Sequence, residues 1–505
     1  MKEQWFEEIA KTILDIKSDI LFVIDPSNLV KSTEITKCLR EKFDKIVEYE
    51  SELKLRKLIR KNEKIIIIFS DTQNIPYDLL SHFATVEVDI DVVFPFLNKK
   101  ALLQFPIDAF QDIYEPYLDF KKNKYERLSE EKTIEFIENV LSSKAIKERN
   151  KSFELVDKLE DLLRDKSIDT NTWGHIAKIF GELNYLIDNY DLNVDLEELR
   201  NIIRNKFKEY ILYCYEDLIY STNSLIHSNL LGKIFNNYYE RIALICFDCM
   251  GFEEWNVIKE YLNGSLNLDY IVKYSFSMLP SETSHSGNAL FGGFPPKKIK
   301  ELDFINNIHW KNEGSIFKDF LAKRKDIDKD LIFYQRCINP KDFELSENSL
   351  CDYHAMGIVF SFIDHFAHSD LMNKNKLIKN IVFHLKNSNL DKFIDSLLRN
   401  KFHLYFISDH GSVFCKGNGI NVKRDLVNSR AKRYLISDKK ELLEEYKTED
   451  SELVQFKNII GDDYLLLLSG DKMFAGKNEE GLTHGGISIE EIIVPFIEVK
   501  YSDRI

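Results

Sequence analysis

Apolar runs and polar gaps alternate along the first hundred residues in a pattern that predicts a small α/β fold. Residues 20–24 form a short apolar run ending at Asp25-Pro26, a strand-to-turn signal, and 32–43 then repeat apolar residues at helical spacing. Residues 46–49 and 65–69 predict two further strands, with a helix over 53–61 between them. Asp25 and Asp71 stand at strand ends, but the doubled acids of a phosphoryl-receiver site are missing, so turn and capping roles are expected of them. From about 128 to 238 the period lengthens to that of amphipathic helices and Gly and Pro become sparse. Helices are predicted over 130–141, 153–164, 172–190 and 196–220, opened by Ser-Glu-Glu and Asn-Thr starts. The stripe of Trp173, Ile176, Ile179 and Phe180 reads as helix packing.

Strand patterns return at 241–248, which delivers Asp248 to a carboxyl end. The same arrangement recurs where 358–363 runs into Asp364 and where 402–407 runs into Ser408-Asp409-His410. Sites in open α/β sheets form at the carboxyl ends of strands, so three strands ending in acids predict one shared site. The expected organisation is a small α/β domain over 1–110, a helical segment over 111–238 and an α/β domain over 239–505, the last with an insertion at about 412–470.

Length and composition narrow the class. The 505 residues predict two to four domains, and 44% hydrophobic with 30% charged residues is a globular balance, not a disordered one. A net charge of −14 argues against a surface coated in basic residues for duplex nucleic acid. Glu7, Glu8, Lys11, Asp15, Lys17 and Asp19 interrupt the stretch a secretion signal would need apolar, and no apolar run approaches the ~20 residues of a membrane span. Seven scattered cysteines imply no disulfide framework, so a cytoplasmic protein is expected. Cys246 and Cys249 flank Asp248 as a Cys-x-x-Cys, but no second such pair exists, and core packing is the expected role.

The candidate chemistry lies in the third region. Asp364 and His368 are four apart, a spacing that presents both to one metal if a helical turn follows the strand. Asp409-His410 precedes Gly411, and His484 precedes Gly485-Gly486. Residues 279–293 place Pro280, Ser281, Thr283, Ser284 and Ser286 before small residues, which reads as a helix start whose free N–H groups favour an anion, or as a capping box around Ser281 or Thr283. Residues 416–440 hold eight basic residues against Asp425 and Asp438, a candidate lid for a polyanion.

Taken together, these motifs resemble a PglZ domain of the alkaline phosphatase superfamily. The resemblance rests on Asp248-Cys249-Met250-Gly251 with Trp255, the 279–293 motif, Asp364-x-x-x-His368, Ser408-Asp409-His410-Gly411, and Thr483-His484-Gly485-Gly486 with Glu490, Glu491, Val494 and Pro495. Asp25-Pro26 and Ile75-Pro76-Tyr77-Asp78 resemble the front portion of PglZ proteins of BREX-type phage-defence systems. The resemblance implies an alkaline-phosphatase-like sheet sandwiched by helices. It implies two divalent ions, one on Asp248, Asp409, His410 and the nucleophile, the other on Asp364, His368 and His484. It places the nucleophile at Thr283, with Ser281 as the alternative. Mixed imidazole and carboxylate donors favour zinc, with manganese the alternative.

Ser284, Asn288, Lys423 and Arg424 are the expected substrate contacts. The implied reaction is hydrolysis of a phosphoester such as a nucleotide or nucleic-acid end, alongside other phage-defence proteins. Two departures stand out: Ser281 occupies a position where relatives usually have Thr, and Ser286-Gly287 replaces a stretch that often carries Arg. Competing readings are a scaffolding or regulatory subunit that keeps the metal site without catalysis, and a mutase-like transferase.

Overall fold

The first strands assemble as their apolar pattern requires. β1 (Ile20–Ile24), β2 (Lys45–Glu48), β3 (Ile65–Phe69) and β4 (Ala84–Glu87) form a parallel sheet in the order β2-β3-β1-β4. β3 is buried along its whole length, which is why it reads as an unbroken run of isoleucines. The helices between strands are Thr33–Leu39, capped by Ser32, and Glu52–Ile59, capped by Ser51. Asp25 is buried and its carboxylate accepts the N–H groups of Leu29 and Val30 at 3.0 and 2.7 Å, the capping role expected of it. The computed structural model describes residues 4–502 apart from 61–62, 73–74, 123–125, 166, 193, 222, 237–240, 302–309, 344–346, 370–371, 421, 424–425 and 427–430.

The chain divides into two compact units, Met1–Glu148 and Arg149–Ile505. The helices predicted over 130–141 and 153–164 are one continuous helix, Glu130–Leu163, which begins in the first unit and ends in the second. Residues 142–152 are polar but contain neither Gly nor Pro, so nothing in them stops a helix. In the second unit Thr170–Tyr190 is capped by Asp169, whose carboxylate accepts the Thr172 N–H at 2.7 Å, and Glu197–Tyr220 follows. Trp173, Ile176 and Phe180 are buried in the core, as the packing reading requires. Among the described residues no helix is long and apolar enough to cross a membrane.

The second unit is built on a mixed sheet. Its strands are β5 (Ile242–Phe247), β6 (Leu268–Phe276), β7 (Ile332–Cys337), β8 (Ala355–Phe360) and β9 (His403–Ile407). Six shorter strands follow, β10 (Val413–Gly417), β11 (Tyr434–Ser437), β12 (Ser451–Val454), β13 (Tyr464–Leu468), β14 (Lys472–Met473) and β15 (Glu480–Thr483), and then β16 (Ile493–Tyr501). The large sheet runs β6-β16-β9-β5-β8-β7; β9, β5, β8 and β7 are mutually parallel and β16 is antiparallel to β6 and β9. Both faces are covered. Ala243, Ile245 and Phe247 belong to one hydrophobic core and Ile242, Leu244 and Cys246 to another, the period-two split of a doubly buried strand. Cys246 is thus a core residue.

Register sets the site. Cys246 lies opposite Ile407, so Asp248 and Asp409, two residues further on, leave adjacent strands side by side. The strand expected over 358–363 ends at Phe360, where the N–H of Ser361 turns to the Cys337 carbonyl, and Asp364 lies on the helix Phe362–Ala367.

The six short strands form two three-stranded sheets, β14-β10-β15 and β11-β13-β12. They are locked by Arg433, counted in the sequence among basic lid residues but fully buried here. Its guanidinium donates to Glu491 at 2.9 Å, to Ser488 Oγ at 2.8 Å and to the carbonyls of Leu468, Gly470 and Lys472. Glu491 in turn accepts the Gly486 N–H at 3.0 Å, which fixes the loop after His484. Arg433→Met is expected to cost about 3–5 kcal/mol, because it leaves Glu491 buried without its cation. Denaturant unfolding that shows less than 1 kcal/mol of loss, on the order of one surface contact, would contradict this role.

Candidate active site

Two groups of side chains that could hold a metal ion lie together at the carboxyl edge of the sheet. Asp248, Asp409 and His410 form one, and Asp364, His368 and His484 the other; within each, ligating atoms lie within 4.8 Å of one another. Five of the six residues are buried, and His368 is half-buried. The His410 and His484 rings stack at 4.1 Å between centroids, so the two groups adjoin.

In the first group each acid has one oxygen committed to the backbone or to a cation. Asp409 Oδ1 accepts the N–H of Cys249 at 3.2 Å and its own neighbour's, His410, at 3.0 Å. The turn at Cys249 has φ of 70°, a left-handed conformation rare for a side-chain-bearing residue, and the Met250 N–H completes it by donating to Ser408 Oγ. Asp409 Oδ2 is buried 3.6 Å from His410 Nε2 and accepts no hydrogen bond among the described residues. Burial and the neighbouring Asp248 push the Asp409 carboxyl up to about 7. His410 Nδ1 donates to the Gly411 carbonyl at 3.1 Å, which turns Nε2 toward the acids. Burial opposes its imidazolium, but Asp409, Asp248 and Asp364 outweigh that and raise its pKa.

The second group has the same logic. His484 Nδ1 donates to the Ser281 carbonyl at 3.2 Å, so Nε2 faces His368 Nε2 at 3.1 Å and Asp364 Oδ1 at 3.7 Å. Burial, with His410 and His368 nearby, holds the His484 pKa well below its ordinary value. Burial would raise the Asp364 carboxyl, but His368, 3.0 Å away, and His484 bring it below the usual range.

Thr283 lies at the first group. Its Oγ1 is 3.1 Å from His410 Nε2 and 3.5 Å from Asp248 Oδ1. Ser281 is fully buried and donates to the Gly486 carbonyl at 3.0 Å, so its hydroxyl is committed to the loop after His484. The 279–293 segment is a π-helical turn, Thr283–Gly287, followed by the helix Asn288–Gly292. Its cap is Glu282, and neither Ser281 nor Thr283 builds the capping box considered from sequence. The Glu282 carboxylate accepts the N–H groups of Ser284 and His285, each at 3.0 Å, and also pairs with the His285 ring. The N–H groups expected to face an anion therefore already have one.

The expected substrate contacts fall differently. Ser284 is half-buried beside Thr283, with its carbonyl accepting the Asn288 amide at 2.5 Å, and Asn288 is buried. Lys423 is exposed, and Arg424 lies outside the described residues.

Three features escaped the sequence reading. Arg336 donates to Asp248 Oδ2 at 2.5 Å and to Glu313. Ser286 Oγ donates to the Asp409 carbonyl at 2.6 Å and accepts the Met278 N–H, while buried His227 reaches it at 2.8 Å. Ser286 thus ties the Thr283 turn to the Asp409 loop. A basic residue late in an apolar strand was the only sequence signal for Arg336.

Residues 226–499, more than half of the chain, match the family model for the BREX system PglZ alkaline phosphatase-like domain. The chain belongs to this PglZ family. It is a phosphoric ester hydrolase of the alkaline phosphatase superfamily. No curated protein matches the chain. Among solved structures, human ectonucleotide pyrophosphatase/phosphodiesterase 5 aligns at 12% identity over 52% of this chain and 87% of its own, with a TM-score of 0.34. The murine protein aligns at 10% identity over 52% and 88%, with a TM-score of 0.35.

An alkaline-phosphatase-like fold suggests divalent ions, and the PglZ residues fit them. The Asp409 oxygen that accepts no hydrogen bond among the described residues and the facing Nε2 atoms of His368 and His484 are donor sets that a cation would satisfy.

Proposed function

We propose that this chain is a metal-dependent phosphohydrolase or phosphodiesterase with Thr283 as nucleophile, acting on a nucleotide or nucleic-acid end within a cytoplasmic BREX-type phage-defence system. The observation that carries the reading is the position of Thr283 Oγ1 between His410 Nε2 and Asp248 Oδ1, while the competing Ser281 hydroxyl is spent on Gly486.

Asp248, Asp409 and His410 would hold one divalent ion, and Asp364, His368 and His484 the other. The mixed nitrogen and oxygen donors favour zinc, with manganese the alternative. Bound there, such ions supply the positive field that makes a weakly acidic hydroxyl usable and draws charge from phosphoryl oxygens.

The chain's own residues do the rest. Thr283 Oγ attacks phosphorus, the bond to the leaving oxygen breaks, and the resulting phosphothreonine is cleaved by water. Glu282 and Ser286 hold the Thr283 turn in place through the Ser284 and His285 N–H groups and the Asp409 carbonyl. With the Ser284 and His285 N–H groups taken by Glu282, those two donors are committed to the turn and not to substrate phosphate.

Two measurements test the reading. Protein stripped with a chelator is expected to lose at least about 90% of its hydrolysis of chromogenic phosphomonoesters or diesters, and its Tm is expected to fall by several degrees, both recovering with zinc or manganese. Wild-type inactivity on both ester classes with both ions would favour the scaffolding reading instead.

A further inference from the structure

Arg336 lies on β7 opposite Val359 of β8, two strands from Asp248. Its Nη1 donates to Asp248 Oδ2 at 2.5 Å, and its Nε and Nη2 fork onto Glu313 at 3.1 and 2.8 Å. Glu313, fully buried at the start of the helix Glu313–Lys325, also accepts the Tyr334 hydroxyl at 2.6 Å.

Gly287 shows how crowded this place is. A Cβ there would stand 2.3 Å from Glu313 Oε1 and 3.6 Å from Asp409 Oδ2. Only a glycine lets the Thr283 turn pass between these acids. Asp248, Asp409 and Glu313 therefore converge from three distant segments, all buried, with one guanidinium among them. Buried carboxylates need a cation, since each costs several kcal/mol without one. Glu313 belongs to neither metal-ligating group, so its cation is Arg336.

We propose that Arg336 is a built-in cation that fixes how many exchangeable ions the site holds. It fills the place between Asp248 and Glu313 that a further divalent ion would otherwise take. By engaging Asp248 Oδ2 it also leaves Oδ1 as the oxygen turned toward Thr283 and His410. Arg336 is a positioning residue: it acts through Asp248 and does not touch the reacting atoms. The inference rests on the two-ion reading above. The donors it covers, two carboxylates and the Tyr334 hydroxyl, are all oxygen, a set suited to magnesium or manganese more than to zinc.

The test uses the full chain as wild type, Arg336→Gln, Arg336→Lys, and Arg336→Gln combined with Glu313→Gln. Each is stripped with a chelator, loaded with zinc, manganese or magnesium, and weighed by native mass spectrometry. Arg336→Gln is expected to bind one divalent equivalent more than wild type in manganese or magnesium. The double variant and Arg336→Lys are expected to match wild type.

An Arg336→Gln protein with the wild-type count overturns the inference, as does an extra ion that persists in the double variant. If Arg336→Gln is unfolded in chelator, manganese or magnesium is expected to restore its melting transition, because an ion replaces the lost charge. A variant that stays unfolded in all three ions also overturns the proposal. Wild-type protein that takes up no ion at all would instead sink the two-ion reading, so the two failures are distinguishable.

Discussion

Replacing Thr283 with alanine is expected to lower turnover of a phosphoester by at least about 10³-fold, with the fold and ion content preserved. The Thr283 hydroxyl faces the site, 3.1 Å from His410 Nε2 and 3.5 Å from Asp248 Oδ1, and the residue is half-buried. Its loss removes no core packing, so the stability change should stay within about 1 kcal/mol. Thr283→Ser keeps the oxygen and should retain measurable turnover. The contrast is Ser281→Ala, which deletes a buried bond to the Gly486 carbonyl; it should cost about 1 kcal/mol of stability and spare the chemistry. Steady-state kinetics with paired thermal melts read all three variants. A Thr283→Ala enzyme that keeps more than a tenth of wild-type turnover would remove the threonine from the mechanism.

Asp409→Ala should have an effect of the same order by a different route. Asp409 has one buried oxygen that accepts no hydrogen bond among the described residues and lies 3.6 Å from His410 Nε2, and its other oxygen orders the backbone of Cys249 and His410. The substitution therefore deletes a candidate ligand and loosens the turn that positions Asp248 and His410. Metal analysis is expected to show about two equivalents in wild type and a loss of at least one in the variant, with affinity down by about 100-fold or more. Asp409→Asn separates the two roles. It keeps an oxygen for the two N–H groups but loses the charge, so it should preserve melting temperature better than alanine while losing the ion. Equal ion content in wild type and both variants would show that Asp409 holds no metal.

Much of this architecture was legible in local pattern. The apolar runs at 20–24, 65–69 and 242–247 are strands because they are buried on both faces, and burial on both faces writes itself into sequence as uninterrupted Ile, Val and Leu. The six candidate metal-holding residues could be picked out because Asp and His beside strand ends or glycines are few, and the register of β5 against β9 then brings Asp248 and Asp409 together. Helix boundaries were less legible. The polar stretch at 142–152 looks like a gap but contains no residue that stops a helix, and the strand before Asp364 ends early because Ser361 turns to pair with Cys337.

What sequence alone determined is most of the elements and the candidate metal-holding side chains, because hydrophobic period and side-chain chemistry are local properties. Tertiary structure alone decided which ordinary polar residues become part of the site. Arg336 and Asp248 are 88 residues apart, and Arg433 and Glu491 are 58 apart. In sequence each looks like a solvated charge; only the packing of distant segments removes its water and forces the pairing. The same holds for Glu282, whose carboxylate turned out to cap the turn that presents Thr283. Burial is a property of the whole fold, and so is the cost of leaving a buried charge alone.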